Sequence, residues 1–436
     1  METGRATIGK GKDRGRQGDG PARLGVPAVV PAAVGAVVPI YLLPLLLLII
    51  LAVPATPASG QPLGAPGEPS ARDLFEASLE EQIRTLDTEA LERFVAGLDE
   101  DIRRAMPTFD LRSLLRGEEG TWSFDGRKLL TELARYMGRE VVFQSRLLGQ
   151  LVVLAVLCAL LQNVGRAFGG PGAAEVAYLV AFLVIMFLAL RSFQSALDIG
   201  RQTVSAMTSF MFALLPLLST LLAAAGALSS AAVFHPLLIT VVTMVAGLIE
   251  GVVFPLLFFT AVLAVASNMV EGFPFSRLAH LARHAGIVVL GLSLTVFLGV
   301  MVVRGALAPI ADGVALRAAK FLTGTFIPIV GRMMADAVEV VAGGAVLIKG
   351  AVGAFGLLAI IVLAAFPLAK ILSIVLIYRV VTALVQPISD GRLVSALEGL
   401  ADTLTLLMVA VGTVAVMFFI GVTVVVGVGH AALMLR

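Results

Sequence analysis

Apolar residues in this chain fall into long runs separated by short polar connections. From Leu147 onward the runs cover about 147–164, 174–193, 203–226, 236–270, 286–303, 352–387 and 404–428. A helix needs about 20 residues to cross a bilayer, so most of these runs are one span long. Those at 236–270 and 352–387 suffice for two short spans each, or for one long helix interrupted at Pro255 and Pro367. The pattern predicts an all-α polytopic membrane domain over 147–436 with seven to nine transmembrane helices. Residues 59–146 read differently. Leu74, Phe75, Leu79, Ile83 and Leu86, then Leu91, Phe94, Val95 and Leu98, recur at helical spacing between charged faces, and 61–146 holds 17 of the 30 acidic residues. This is a small region of amphipathic helices, either a solvated spacer or a partner-docking module.

Ahead of it, Arg5, Lys10, Lys12, Arg14, Arg16 and Arg23 precede the apolar stretch YLLPLLLLIILAV at 41–53 and the small residues PATPASG. Residues 1–58 thus read as a basic lead and signal peptide cleaved after Ala55 or Ala58, or as an uncleaved anchor. Either way 59–146 is expected to be extracytoplasmic. Flanking charges then place the loop at 271–285, with Arg277, His280, Arg283 and His284, in the cytoplasm when both long runs split. The loop with Asp390, Glu398 and Asp402 falls outside, and the C-terminus inside. If neither run splits, an odd number of crossings is still preserved.

Composition fixes the class: 58% hydrophobic residues, 14% charged and a mean hydropathy of +0.97 exclude a soluble globular domain. The net charge of +2 says little, because the charges are segregated along the chain instead of forming one basic or acidic surface, and no nucleic-acid partner is expected. Cys158 is the single cysteine, so an intramolecular disulfide or a cysteine metal cluster cannot form. His280 and His284 have the i, i+4 spacing of a metal pair, but no glutamate adjoins His280, and they read as part of a basic loop. Without a P-loop the chain is not the ATP-hydrolysing part of a transporter. No catalytic set, cofactor or metal is expected.

Two features carry more. Pro216 and Pro328 are 112 residues apart, as are Pro255 and Pro367, and the elements around each pair follow in the same order. This points to repeats at 198–303 and 310–426, with Pro216, Pro255 and Pro367 as candidate helix breaks; interrupted segments in corresponding halves of a membrane protein point to a pathway or binding site. The second feature is GTFIPIVGRMMADAVEVVAGG at 324–344, too polar for an ordinary span. A helix from Pro328 to Gly343–Gly344 would have about 15 residues and measure about 22 Å, short of the roughly 30 Å core. Arg332, Asp336 and Glu339 would share one face of it. With Gly331 and Lys349, these residues form a candidate pathway or partner-contact motif. The plain alternative is an Arg332–Asp336 pair that lets a short helix pack.

The signal-like start, the acidic helical segment, FHPLL at 234–238 and above all FIPIVGRMMADAVEVVAGGAVLIKGAVGAFG at 326–356 resemble the stage III sporulation protein AE family. The resemblance runs in order over nearly the whole chain. It implies a non-enzymatic membrane subunit of a channel-like complex joining mother cell and forespore and needed for late forespore gene expression. The implied location is the mother-cell membrane around the forespore. The implied partners are the other stage III A-operon proteins, an ATPase subunit among them, and indirectly stage II sporulation protein Q. The competing reading is a self-sufficient secondary transporter with a small-molecule site between the repeats.

Overall fold

A computed structural model describes residues 88–106, 126–167, 171–269, 275–326, 330–389 and 391–434. Within them only the backbone is described at 126, 128, 165–167, 171–175, 309–311, 313, 315–326, 330–340 and 429–434. The signal-like segment and Pro328 lie outside the described residues.

Every regular element among the described residues is helical. They are α1 (Glu89–Ala96), α2 (Glu100–Ala105), α3 (Gly126–Ala167), α4 (Pro171–Ala224), α5 (Leu228–Leu248), a π-helical turn (Ile249–Val253), α6 (Phe254–Ala266), α7 (Phe275–Phe326), α8 (Val330–Val385) and α9 (Gly391–Met434). Among the described residues six stretches are long and apolar enough to cross a membrane: Leu129–Val164, Val176–Ala224, Leu228–Ala266, Phe275–Ala308, Val341–Val385 and Gly391–Val428. The protein is an all-α polytopic membrane protein. The helix α8 is its axis: 78% of its most apolar stretch is buried, against 22% for α3.

Among the described residues the long helices number six against the seven to nine runs expected from 147 onward, because runs separated in sequence are continuous in space. The polar stretch between 193 and 203 stays helical, joining two runs into the 54-residue α4. Pro216 and Pro367 lie inside α4 and α8, and neither breaks its helix. A proline removes one ladder donor and crowds the preceding turn, but in apolar surroundings the other backbone groups have no water to turn to, so the helix persists. At Pro255 the ladder does change: the π turn ends immediately before α6, where proline deprives it of a donor. The short helix expected to stop at Gly343–Gly344 is absent too, since α8 runs through both glycines for 56 residues.

Among the described residues the one glycine with a positive φ is Gly226, at the sharp reversal between α4 and α5. There φ is 87°, and Ala227 N–H reaches back to the Leu222 carbonyl at 3.1 Å. This closes α4 in the left-handed conformation that glycine adopts without Cβ strain.

The rods α4 and α8 run antiparallel and stay together. Ala225 packs on Ala345 and Val346, a Cβ built on Gly356 would meet Leu214, and Tyr378 bonds to Ala189. From Ala189 to Ala225 that is about 54 Å of shared length at 1.5 Å per residue.

Candidate functional site

Polar side chains gather at two levels of this bundle. The first is a collar half-way along α4, where Asp198, Arg201, Gln202, Ser205 and Ser209 interrupt the apolar sequence. Glu250 faces the same level from the π turn, and Lys370 from α8 one turn after Pro367; both are half-buried. The helices α1 and α2 dock here. Leu91 is fully buried, the Phe94 ring lies 5.4 Å from that of Phe210, and Arg139 of α3 holds Asp101 of α2 at 2.7 Å. Two clefts open on either side of α4 beneath the α1–α2 turn. One, of about 590 Å³, is lined by Arg93, Arg201, Gln202, Ser205, Ser209 and Glu250 among others. The other, of about 790 Å³, extends to Pro367 and Lys370. Pro367, expected as a break, thus serves as cleft wall in an intact helix.

Just beyond the collar, Asp402 of α9 accepts from Arg379 of α8 at 2.7 Å and from Arg283 of α7 at 3.3 Å. This contact corrects the expected orientation: Arg283 near the start of α7 and Asp402 near the start of α9 lie at one end of the bundle, not on opposite sides of a membrane. The cause is again that neither long apolar run splits, so α7 and α9 both begin at that end.

The second level surrounds the Gly226 turn. Asp312 of α7 is 2% exposed and caps the start of α5, accepting from the Ser230 backbone N–H at 3.0 Å and from the hydroxyls of Ser229 and Ser230. The helix N-terminus and three donors make this a good place for a buried carboxylate. Lys349 of α8 is 0% exposed, and its Nζ has no hydrogen-bond partner among the described residues.

Of the sequence-derived motif, Gly331, Arg332, Asp336, Glu339, Gly343, Gly344 and Lys349 all lie on the first turns of α8, ahead of or level with the Gly226 turn. The side chains of Arg332, Asp336 and Glu339 fall outside the described residues. The collar was missed because its members are scattered: only the interruption of the apolar runs near 194–202 and the lone Glu250 signalled it. The glycines in the most specific stretch do have a visible purpose. A Cβ on Gly353 would lie 2.2 Å from Val426 of α9, and one on Gly356 2.6 Å from Leu214 of α4. These are sites where helices close in on α8, as small residues permit in membranes.

Comparison with known proteins agrees with that stretch. Residues 109–429 match the stage III sporulation protein AE family. The chain belongs to that family. It is 35% identical over 364 residues, 84% of this chain and 91% of the relative, to stage III sporulation protein AE of Bacillus subtilis strain 168. No solved structure matches the chain. Membership of the AE family brings a sporulation-related role.

Proposed function

We propose that this chain is a non-enzymatic membrane subunit of a channel-like, secretion-like complex between mother cell and forespore, required for late forespore gene expression. Its place is the mother-cell membrane around the forespore, with residues 59–146 extracytoplasmic. Its partners are the other stage III A-operon proteins, including an ATPase subunit, and indirectly stage II sporulation protein Q. The observation that carries the reading is the family match over 109–429, together with the identity to the Bacillus subtilis relative. The repeats at 198–303 and 310–426 belong to the same reading. In their support, α5–π turn–α6 followed by α7 and α8 followed by α9 repeat the order of a long apolar rod, a polar turn and a second rod.

The test is expression from compartment-specific promoters in a sporulating host lacking its own copy, read with a late-forespore reporter. Expression in the mother cell should restore the reporter after engulfment. Rescue from the forespore alone would refute the compartment and the channel reading with it. A self-sufficient transporter would move solute when reconstituted alone, whereas the proposed subunit is inert alone and copurifies with its partners.

A further inference from the structure

The paired rods are too long for one bilayer. Their 54 Å of shared length would fit a core of about 30 Å only at a tilt near 56°, beyond the usual limit of about 40°. The full α4, 54 residues or about 81 Å, would have to lie flatter still. Part of the apolar bundle therefore stands outside the hydrocarbon.

The polar levels say which part. From the Gly226 turn to Gln202 on α4, from Leu228 to Glu250 on α5 and the π turn, and from Val346 to Lys370 on α8, the rise is about 33–36 Å in each case. That is the thickness of a hydrocarbon core with the edge of its headgroup region. Asp198 and Arg201 stand on the outer edge of the collar, and on its far side come Arg191 and the half-exposed Arg283–Asp402–Arg379 cluster. Clusters of ionised groups on the outer surface of a bundle are costly at membrane depth. In the other half, Arg304 of α7 is the exposed ionised side chain among the described residues, eight residues or about 12 Å from Asp312, and its long stem lets the guanidinium reach toward the headgroups at the Gly226 level.

We propose that the bilayer occupies only the half of the bundle between the Gly226 turn and the Gln202–Glu250–Lys370 collar. Among the described residues five rods cross it: the second half of α4, the α5–π turn–α6 rod, α7, the first half of α8 and the second half of α9. The hairpin of α3 and the first half of α4 stands outside the lipid despite its hydropathy. Because five is odd, α1 and α2 at the collar and the end of α9 lie on opposite faces, and Arg283 shares the face of α1 and α2. The polar start of α8, with Arg332, Asp336 and Glu339, lies past the Gly226 level and therefore also beyond the hydrocarbon. This explains why so polar a sequence precedes a span.

The test is quenching of tryptophan by brominated phosphatidylcholine, on the full chain in proteoliposomes with its only tryptophan removed by Trp122→Phe. The reporters are Val302→Trp and Phe212→Trp in the proposed lipid half, and Val180→Trp and Leu160→Trp on the hairpin; their native side chains are 65%, 41%, 56% and 56% exposed. The first pair should lose at least about half of its emission relative to unbrominated lipid, and the second pair should stay unquenched. Equal quenching of both pairs, or quenching of the hairpin alone, overturns the placement. The isolated chain in lipid suffices, so this result is independent of the channel reading.

Discussion

The Tyr378 hydroxyl on α8 donates to the Ala189 carbonyl oxygen on α4 at 2.7 Å, from a side chain that is wholly buried. Since Ala189 lies inside α4, this bond is additional to the helix ladder. Tyr378→Phe should lower stability in detergent by only about 0.6–1 kcal/mol. Tyr378→Ala, which empties a large buried volume, should cost about 3–5 kcal/mol. Thermal unfolding of the purified variants separates the two, and equal losses would show that the hydroxyl, not the ring, holds the rods together.

The two buried ionisable groups near Gly226 should respond in opposite senses. Asp312→Ala strands the donors at the start of α5 and should destabilise by about 1–2 kcal/mol, as loss of a helix cap does. Lys349→Met removes a buried cation with no hydrogen-bond partner among the described residues and should raise the unfolding midpoint by the equivalent of about 1 kcal/mol or more. If Lys349→Met is more stable yet fails to sporulate, the lysine is retained for function.

Glycine substitutions on α8 should separate by position. Gly353→Ala drives a methyl into Val426, a β-branched side chain with little rotameric freedom, and should cost about 1–3 kcal/mol. Gly356→Ala meets the more mobile end of Leu214 and should cost less. Gly343→Ala meets nothing within 4 Å and should be neutral or slightly stabilising through helix propensity. Protein yield and unfolding midpoint give the ranking, and a harmful Gly343→Ala would mean that another chain packs there.

The Arg283–Asp402 contact predicts that cysteines at Ser276 and Ile388 share one side of the membrane. In a Cys158→Ala background an impermeant thiol reagent should label both in the same preparation, intact or inverted. Labelling of one in each preparation would place α7 and α9 with opposite directions and contradict the bundle.

Hydropathy alone told much of this: the all-helical class, the run boundaries near 226 and 270, and an amphipathic region containing Leu91 and Phe94 at helical spacing. What it could not tell was continuity. A polar stretch such as Gln194–Gln202 reads as a connection, because local composition does not reveal whether a neighbouring rod supports the helix through it. Pro216 and Pro367 misled for the same reason, as their cost is local and the packing that offsets it is not. The collar was less legible still. Glu250, Gln202 and Lys370 come from three distant segments, and only the antiparallel register of α4 and α8 brings two of them to one height.

Unbroken rods also have mechanics. Between the α3–α4 hairpin and the start of α8, the α4–α8 pair contains no joint, and its interlocked contacts at Leu214 with Gly356 and at Ala225 with Val346 resist sliding. A twist or thrust applied to the hairpin arrives at the opposite end nearly undiminished. The chain is built as a coupling shaft along its own length.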